Sequence, residues 1–302
     1  QAGTLRAGST TAFGDNVATT VASGAVLELD GNNNSTGSLA GAGTVENASA
    51  TAATLTTGGD NTSTTFSGVL QDGTGGGALS LTKTGSGNQT LSGANTYTGV
   101  TTVSAGILGV QNSSALGSAT GGTVVDSGAT LRLDNGANIA SEALTLSGTL
   151  DGRTNGGDVE YGGAITLAAN AEFSAGGSGT FTVSGNVDGA GNQLTLNHGS
   201  PALDITGLIS GTGTQVVKTG SGTATLSGAN TYTGATNINS GTLWLGNGGT
   251  GGSLNTASAI NIASGATFRT AQSDDITQGT DFSGAAITGD GGITHNNNGG
   301  TL

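Results

Sequence analysis

The chain of 302 residues contains no cysteine, no methionine and one proline, Pro201. Zero cysteine excludes a disulfide scaffold, so stability has to come from backbone ladders and the side chains stacked along them. The scarcity of proline suits a long β ladder, in which each interior residue donates its N–H. Pro201 itself sits in NHGSPALD, which reads as a turn. Aromatic residues make up 3% of the chain and charged residues 8%. A single compact α/β core of this length would carry more large apolar side chains. Cations are scarce too: Lys83, Lys218, Arg6, Arg132, Arg153 and Arg269 against 19 acids, for a net charge of −13. That balance makes nucleic acid and anionic membrane surfaces poor partners. No apolar run approaches the roughly 20 residues of a membrane helix. No signal-peptide pattern is visible, which is compatible with a secreted chain after cleavage. Leucine, alanine, glutamate and lysine nowhere recur together at helical spacing.

What is abundant is small. Glycine alone supplies 60 residues, and serine, threonine, asparagine and alanine supply much of the rest. A disordered chain of such composition would have high charge and no apolar periodicity. Here charge is low and the apolar residues alternate, as at Leu27 and Leu29, Leu144 and Leu146, Phe181 and Val183, and Ile260 and Ile262. Period-2 alternation places these side chains on one face of a strand. Between the alternations lie SG, NG, GG and DG pairs, which read as turns.

One phrase organises the chain. KTGSGNQTLSGANTYTGVTTVSAGILGV at 83–110 returns as KTGSGTATLSGANTYTGATNINSGTLWL at 218–245. Weaker echoes mark the rest: AGTL at 2–5 resembles AGIL at 105–108, and SGAVLEL, SGATLRL and SGATFRT follow at 23–29, 127–133 and 264–270. These define three modules of one continuous solenoid over 1–302: about 1–104, 105–239 with an insertion at about 136–203, and an incomplete 240–302. The spacing between the two lysine-headed phrases is too long for one coil, so each module holds several turns of roughly 20–25 residues.

Antiparallel hairpins and β-solenoid rungs both use short strands with tight turns. Only the solenoid stacks like positions over like positions, which rewards the recurrence of NTYTG in place. The expected fold is therefore all-β, a parallel β-helix. Within the phrase, the positions expected to build it are Lys83, Leu91, Gly93, Asn95, Tyr97 and Gly99, with Lys218, Leu226, Gly228, Asn230, Tyr232 and Gly234. Leu81, Val103, Leu108 and Val110 are placed, with Leu91 and Tyr97, inward or at strand–turn corners. The four glycines are expected to take backbone angles closed to other residues.

At TLSGANTYTG and KTGSG the chain resembles the autotransporter-associated β-strand repeat, or passenger-associated transport repeat, of type V secreted proteins. Leu81 to Leu108 and Val216 to Leu243 follow the family's pattern, while 2–5 and 293–302 resemble its tail and head. The resemblance implies a right-handed parallel β-helix exported to the cell surface or released, with a C-terminal barrel that this sequence does not include. Both ends of the sequence cut a module. The expectation is covalent continuation into further repeats, or end-to-end association of copies through open ladder edges.

Catalytic chemistry finds little support. His198 lies near Ser200 and Asp204, but three groups so close in sequence would have to converge from one turn; a solvated turn histidine is expected. His295 stands where the repeat has lysine. Asp151, Asp158 and Glu160 cluster beside Arg153 and Tyr161, and Asp274 adjoins Asp275; paired carboxylates could hydrolyse a glycoside, but acidic turns facing water are the expectation. Asp30-Gly-Asn-Asn-Asn and Asp274-Asp275 each offer hard oxygen ligands for calcium, but neither fits an EF-hand loop. No catalytic, cofactor or metal residue is assigned, and no cofactor. Trp244, pointing outward between Leu243 and Leu245, is the candidate contact residue, either for a sugar or partner chain or as a cover for its own coil. The function expected is a non-enzymatic, extracellular structural or adhesive β-helical rod, a passenger-like stalk or spacer at the cell surface, with a glycan or other surface ligand as candidate partner. A self-assembling fibre subunit is the second reading and a polysaccharide-active enzyme the third.

Overall fold

The computed structural model describes residues 3–200, 202–249, 251–273 and 275–296. Pro201, Asp274 and the 297–302 end of the lysine-type phrase lie outside the described residues. The chain divides into two compact units, 1–148 and 149–302.

Unit 1 coils through three parallel sheets. The first stacks Gly3–Arg6, Ala25–Glu28, Thr44–Glu46 and Val69–Gln71. The second stacks Asn34–Thr36, Ala53–Thr57, Leu79–Lys83, Thr101–Val103, Thr123–Val125 and Leu144–Leu146. The third stacks Ala18–Val21, Ser38–Gly41, Thr64–Phe66, Asn88–Leu91, Ile107–Val110 and Thr130–Leu133. Every one of these pairings is parallel, which hairpins cannot produce. In the second sheet Leu55, Leu81, Thr101, Thr123 and Leu144 stand one above another, 20 to 26 residues apart. This is a β-solenoid with one coil per rung.

Unit 2 repeats the plan. One sheet runs through Thr149–Arg153, Ala171–Gly176, Gln193–His198, Gln215–Thr219, Thr236–Ile238 and Ile260–Ile262. A second runs from Val159–Tyr161 through Thr180–Val183, Ala202–Ile205, Thr223–Leu226, Thr242–Leu245 and Thr267–Thr270 to Gly292–His295. A third holds Ile165–Leu167, Val187–Asp188 and Ile209–Ser210. The described part of the expected insertion that falls here, 149–200 with 202–203, forms rungs of these sheets.

Alternation decides what each rung buries. Leu79 and Leu81 point inward with Ser80 between them, and Leu194 and Leu196 do so around Thr195. Leu39, Leu55, Phe66, Leu91, Leu108 and Leu131 are fully buried in unit 1, as are Phe173, Phe181, Leu203, Leu243 and Phe268 in unit 2. Each buried aliphatic side chain of this kind contributes about 1.5–3 kcal/mol. Among the described residues the only helical element is the single 3-10 turn Thr154–Gly156, and no helix is long and apolar enough to cross a membrane.

Candidate functional site

The repeated phrase is the one feature that both units share in detail. Its first strand, Leu79–Lys83, turns Leu79, Leu81 and Lys83 inward by simple alternation. Lys83 is thereby fully buried. Its stem packs in the core, and its ammonium reaches the corner, where three N–H groups meet three backbone carbonyls. Nζ donates to Thr84 O at 2.6 Å, Gly85 O at 2.9 Å and Ala105 O at 3.1 Å. Lys218, equally buried, donates to Thr219 O at 2.5 Å, Gly220 O at 2.9 Å and Ser240 O at 3.5 Å. Gly85 and Gly220 adopt left-handed backbone, φ +65° and +71°, which only glycine reaches without strain and which shapes the corner at which the ammonium sits. Each lysine thus fastens its own turn to the turn one coil later. Burial pushes both amines down to about 8.

The asparagines end a sheet. Val69–Gln71 is the terminal strand of its sheet in unit 1, and Ile209–Ser210 that of its sheet in unit 2. Leu70 N donates to Asn95 Oδ1 at 2.9 Å, and Ile209 N to Asn230 Oδ1 at 3.0 Å. Thr96 N and Thr231 N return bonds to Leu70 O and Ile209 O. A side-chain amide therefore takes the place of the next strand's carbonyl and satisfies the Leu70 and Ile209 N–H groups. On its other side Asn95 Nδ2 donates to Ala115 O at 2.6 Å, and Asn230 Nδ2 to Ser253 O at 3.0 Å.

The tyrosines fill the volume beneath this bracket. Tyr97 and Tyr232 are fully buried, and each hydroxyl pairs with an inward threonine, Thr101 at 2.6 Å and Thr236 at 2.7 Å. Burial pushes both phenols well above their ordinary range, with the Glu142 charge adding to the rise at Tyr97. Leu91 and Leu226 are buried as well.

The glycines act for a reason other than the one expected. None of Gly93, Gly99, Gly228 and Gly234 lies in the left-handed region. What they lack is room. A Cβ on Gly93 would stand 1.9 Å from Gly68 O, one on Gly99 2.4 Å from Leu79 O, one on Gly228 2.3 Å from Gly207 O and one on Gly234 2.2 Å from Thr214 O. Gly68 is held in the same way by Gly43 O at 1.9 Å, and Gly207 by Gly185 O at 2.1 Å. Successive coils cross backbone to backbone along these glycine columns.

Two expectations about isolated residues are corrected. His198 is not a solvated turn histidine. It ends Gln193–His198 at 3% exposure, packed against the Gly220–Gly222 turn, whose Gly222 N donates to its carbonyl. Asp151 is likewise not a water-facing acid. It is 2% exposed, with Arg153 Nε 2.8 Å from its Oδ2. Its neighbours in sequence have separate tasks: Asp158 accepts from Thr180 N, and Glu160 accepts from Ser184 Oγ. In Asp30-Gly-Asn-Asn-Asn the amides serve the backbone, Asn32 Nδ2 donating to Ala7 O and Asn34 Nδ2 to Ser9 O. Among the described residues no group of three or more His, Asp and Glu could hold a metal ion. His295 ends Gly292–His295 half-buried, its Nδ1 2.8 Å from Thr270 Oγ1.

Trp244 stands on the outward face of Thr242–Leu245, in register with Arg269 one coil on. The guanidinium carbon lies 4.5 Å from the indole centroid. Aligning SGTLWL with SGATFRT sets Trp244 and Arg269 side by side, a pairing that neither residue signals alone.

The family model described as Passenger-associated-transport-repeat matches residues 81–110 and 216–245, the two copies whose geometry is given above. The chain is also similar to the Adhesin BmaC autotransporter of Brucella suis biovar 1 (strain 1330), 35% identical over 231 residues, or 70% of this chain. It spans about 6% of the length of that relative. No solved structure matches the chain.

Proposed function

We propose that this chain, a passenger-type segment of the type V secretion proteins that carry the passenger-associated transport repeat, is a non-enzymatic structural and adhesive β-solenoid displayed outside the cell. The observation that supports this most is the construction of the motif. Lysine, asparagine, tyrosine and glycine are all committed to joining one coil to the next, and each has its polar atoms satisfied by backbone or by an inward hydroxyl. Such residues provide stiffness and leave the outward faces of the sheets for contact. The similarity to an adhesin autotransporter supports contact with a surface as the task.

Adhesion is tested by coating beads with the chain and measuring their retention on host-cell monolayers under flow. Saturable retention that soluble chain competes away is expected. Retention no better than that of beads carrying an unrelated β-solenoid would leave only the spacer role. A parallel ladder accepts a further strand from the same chain or from a second copy. Sedimentation over a concentration series separates these: a mass that climbs with concentration supports association of copies, and a constant mass supports a covalent spacer.

A further inference from the structure

Arg269 is unusual among the cations of this chain. Arg6 pairs with Glu28 and Asp30, Arg153 pairs with Asp151, Arg132 has a partner as well, and the two lysines are enclosed by carbonyls. No carboxylate of a described residue pairs with Arg269. Its Nε is buried and makes no hydrogen bond with any described residue. Among the described residues its partner is the face of Trp244. A guanidinium has five N–H donors in a fixed fork matched to a carboxylate. In a chain of net charge −13, leaving those donors without an acid is a specific local arrangement, and the indole holds the group flat in place.

The surroundings narrow the ligand further. In the outward column the rungs beside the pair carry Thr225 and Thr294, and the nearest acid in register is Asp204, two rungs from Trp244. Thr242 and Thr267 stand in the adjacent outward column. The pair is part-exposed on the sheet face, with Thr242 and Thr267 part-exposed and Thr294 exposed beside it and Thr225 buried, and it carries one unmatched positive charge. A ligand that complements it is flat, rich in hydroxyls and carries a carboxylate.

We propose that the Trp244–Arg269 pair is a binding site for the carboxylate of an acidic saccharide, a uronic-acid unit, with the hydroxyls of Thr242, Thr267 and Thr294 meeting the sugar's own. This names a ligand class for the adhesive reading above and rests on it. Trp244 is the sole tryptophan, so its fluorescence reports this site alone. Oligogalacturonate added to the intact chain is expected to change that fluorescence saturably at about millimolar concentration, and the change should weaken as salt is raised. The methyl-esterified oligomer, which keeps the hydroxyls and loses the charge, is expected to bind at least about tenfold more weakly. Arg269→Gln should lose the response to the acid form, and Arg269→Lys, which keeps the charge without the fork, should retain part of it.

Equal responses to acid and ester, or no saturable response in the parent chain, would overturn the site without any variant having to fold. A polyglutamate peptide that binds as tightly as the saccharide would overturn the saccharide assignment in favour of a protein partner. Bead retention that persists in Arg269→Gln while the fluorescence response disappears removes this site from adhesion and leaves the adhesive reading standing; loss of retention by the parent chain would remove the reading itself.

Discussion

Replacing Lys83 by methionine keeps the stem and deletes the ammonium. Three carbonyls, those of Thr84, Gly85 and Ala105, then lose their donor at a buried corner. Each orphaned buried acceptor costs about 1–3 kcal/mol. Against this, the variant escapes the cost of burying a charge. That cost follows from the fall of the amine from 10.5 to about 8 and is on the order of 3 kcal/mol at neutral pH. The three carbonyls together lose about 3–9 kcal/mol, so at pH 7 Lys83→Met should be less stable than its parent by up to about 6 kcal/mol. The pH dependence is the sharper test. Raising pH through 8 deprotonates the amine in the folded chain while the unfolded chain stays charged up to 10.5. The parent gains stability over that window, and a methionine cannot. The gap between parent and variant should therefore widen by about 2–3 kcal/mol between pH 7 and pH 10. Denaturant unfolding at the two pH values gives the gap, and amide exchange at Thr101–Val103 shows whether the loss is local to the fastened coils. A variant more stable than its parent at pH 7, or a gap that does not widen, would refute the accounting.

The intact chain should be most stable near pH 10: Lys83 and Lys218 add stability as pH rises from about 8 towards 10.5, whereas Tyr97 and Tyr232, protonated when folded, withdraw it above the ordinary phenol value of 10. Melting temperature across pH 7–11 checks this, and a monotonic fall from pH 7 would contradict it. Gly93→Ala places a methyl carbon 1.9 Å from Gly68 O, so the coils must part; a loss of about 2–4 kcal/mol is expected, and a wild-type melting temperature would show that the column has slack. Gly99→Val should unfold the coils around 79–103 for the same reason, which limited proteolysis would show as new cleavage there. Asn95→Ala leaves Leu70 N without an acceptor and should cost about 1–3 kcal/mol, with exchange at Leu70 accelerated more than at Leu55; uniform acceleration would argue against a local bracket.

The parallel coil was legible because recurrence and alternation are both properties of the letters. NTYTG recurring in place requires equivalent surroundings, and Tyr97 and Tyr232 have them down to the threonine four residues on. The lysine's neighbours were harder to read. Alternation sends Lys83 inward and its charge suggests the opposite; only the fold shows three carbonyls within reach of the corner. Glycine was read for the wrong property, because sequence cannot distinguish a residue needed for its angles, such as Gly85, from one needed for its missing Cβ, such as Gly93. His198 and Asp151 were assigned to water because both adjoin turn-rich words, yet each falls on the inward or sheltered side of a strand. The stacking of Trp244 on Arg269 is legible only when the repeats are aligned, because neither residue taken singly points to the other.

The asparagine bracket also governs tolerance to change in chain length. Once Asn95 has closed off the sheet that ends at Val69–Gln71, the third side of the coil in unit 1 is crossed by segment 111–122, which has no rung above it in that sheet to copy. Residues added or removed at its exposed positions, such as Ala119 and Thr120, leave the registers of the other two sides untouched. Lineages that diversify this protein by insertion therefore have a place to do so without unzipping the coil, and an epitope or enzyme graft has the same point of entry.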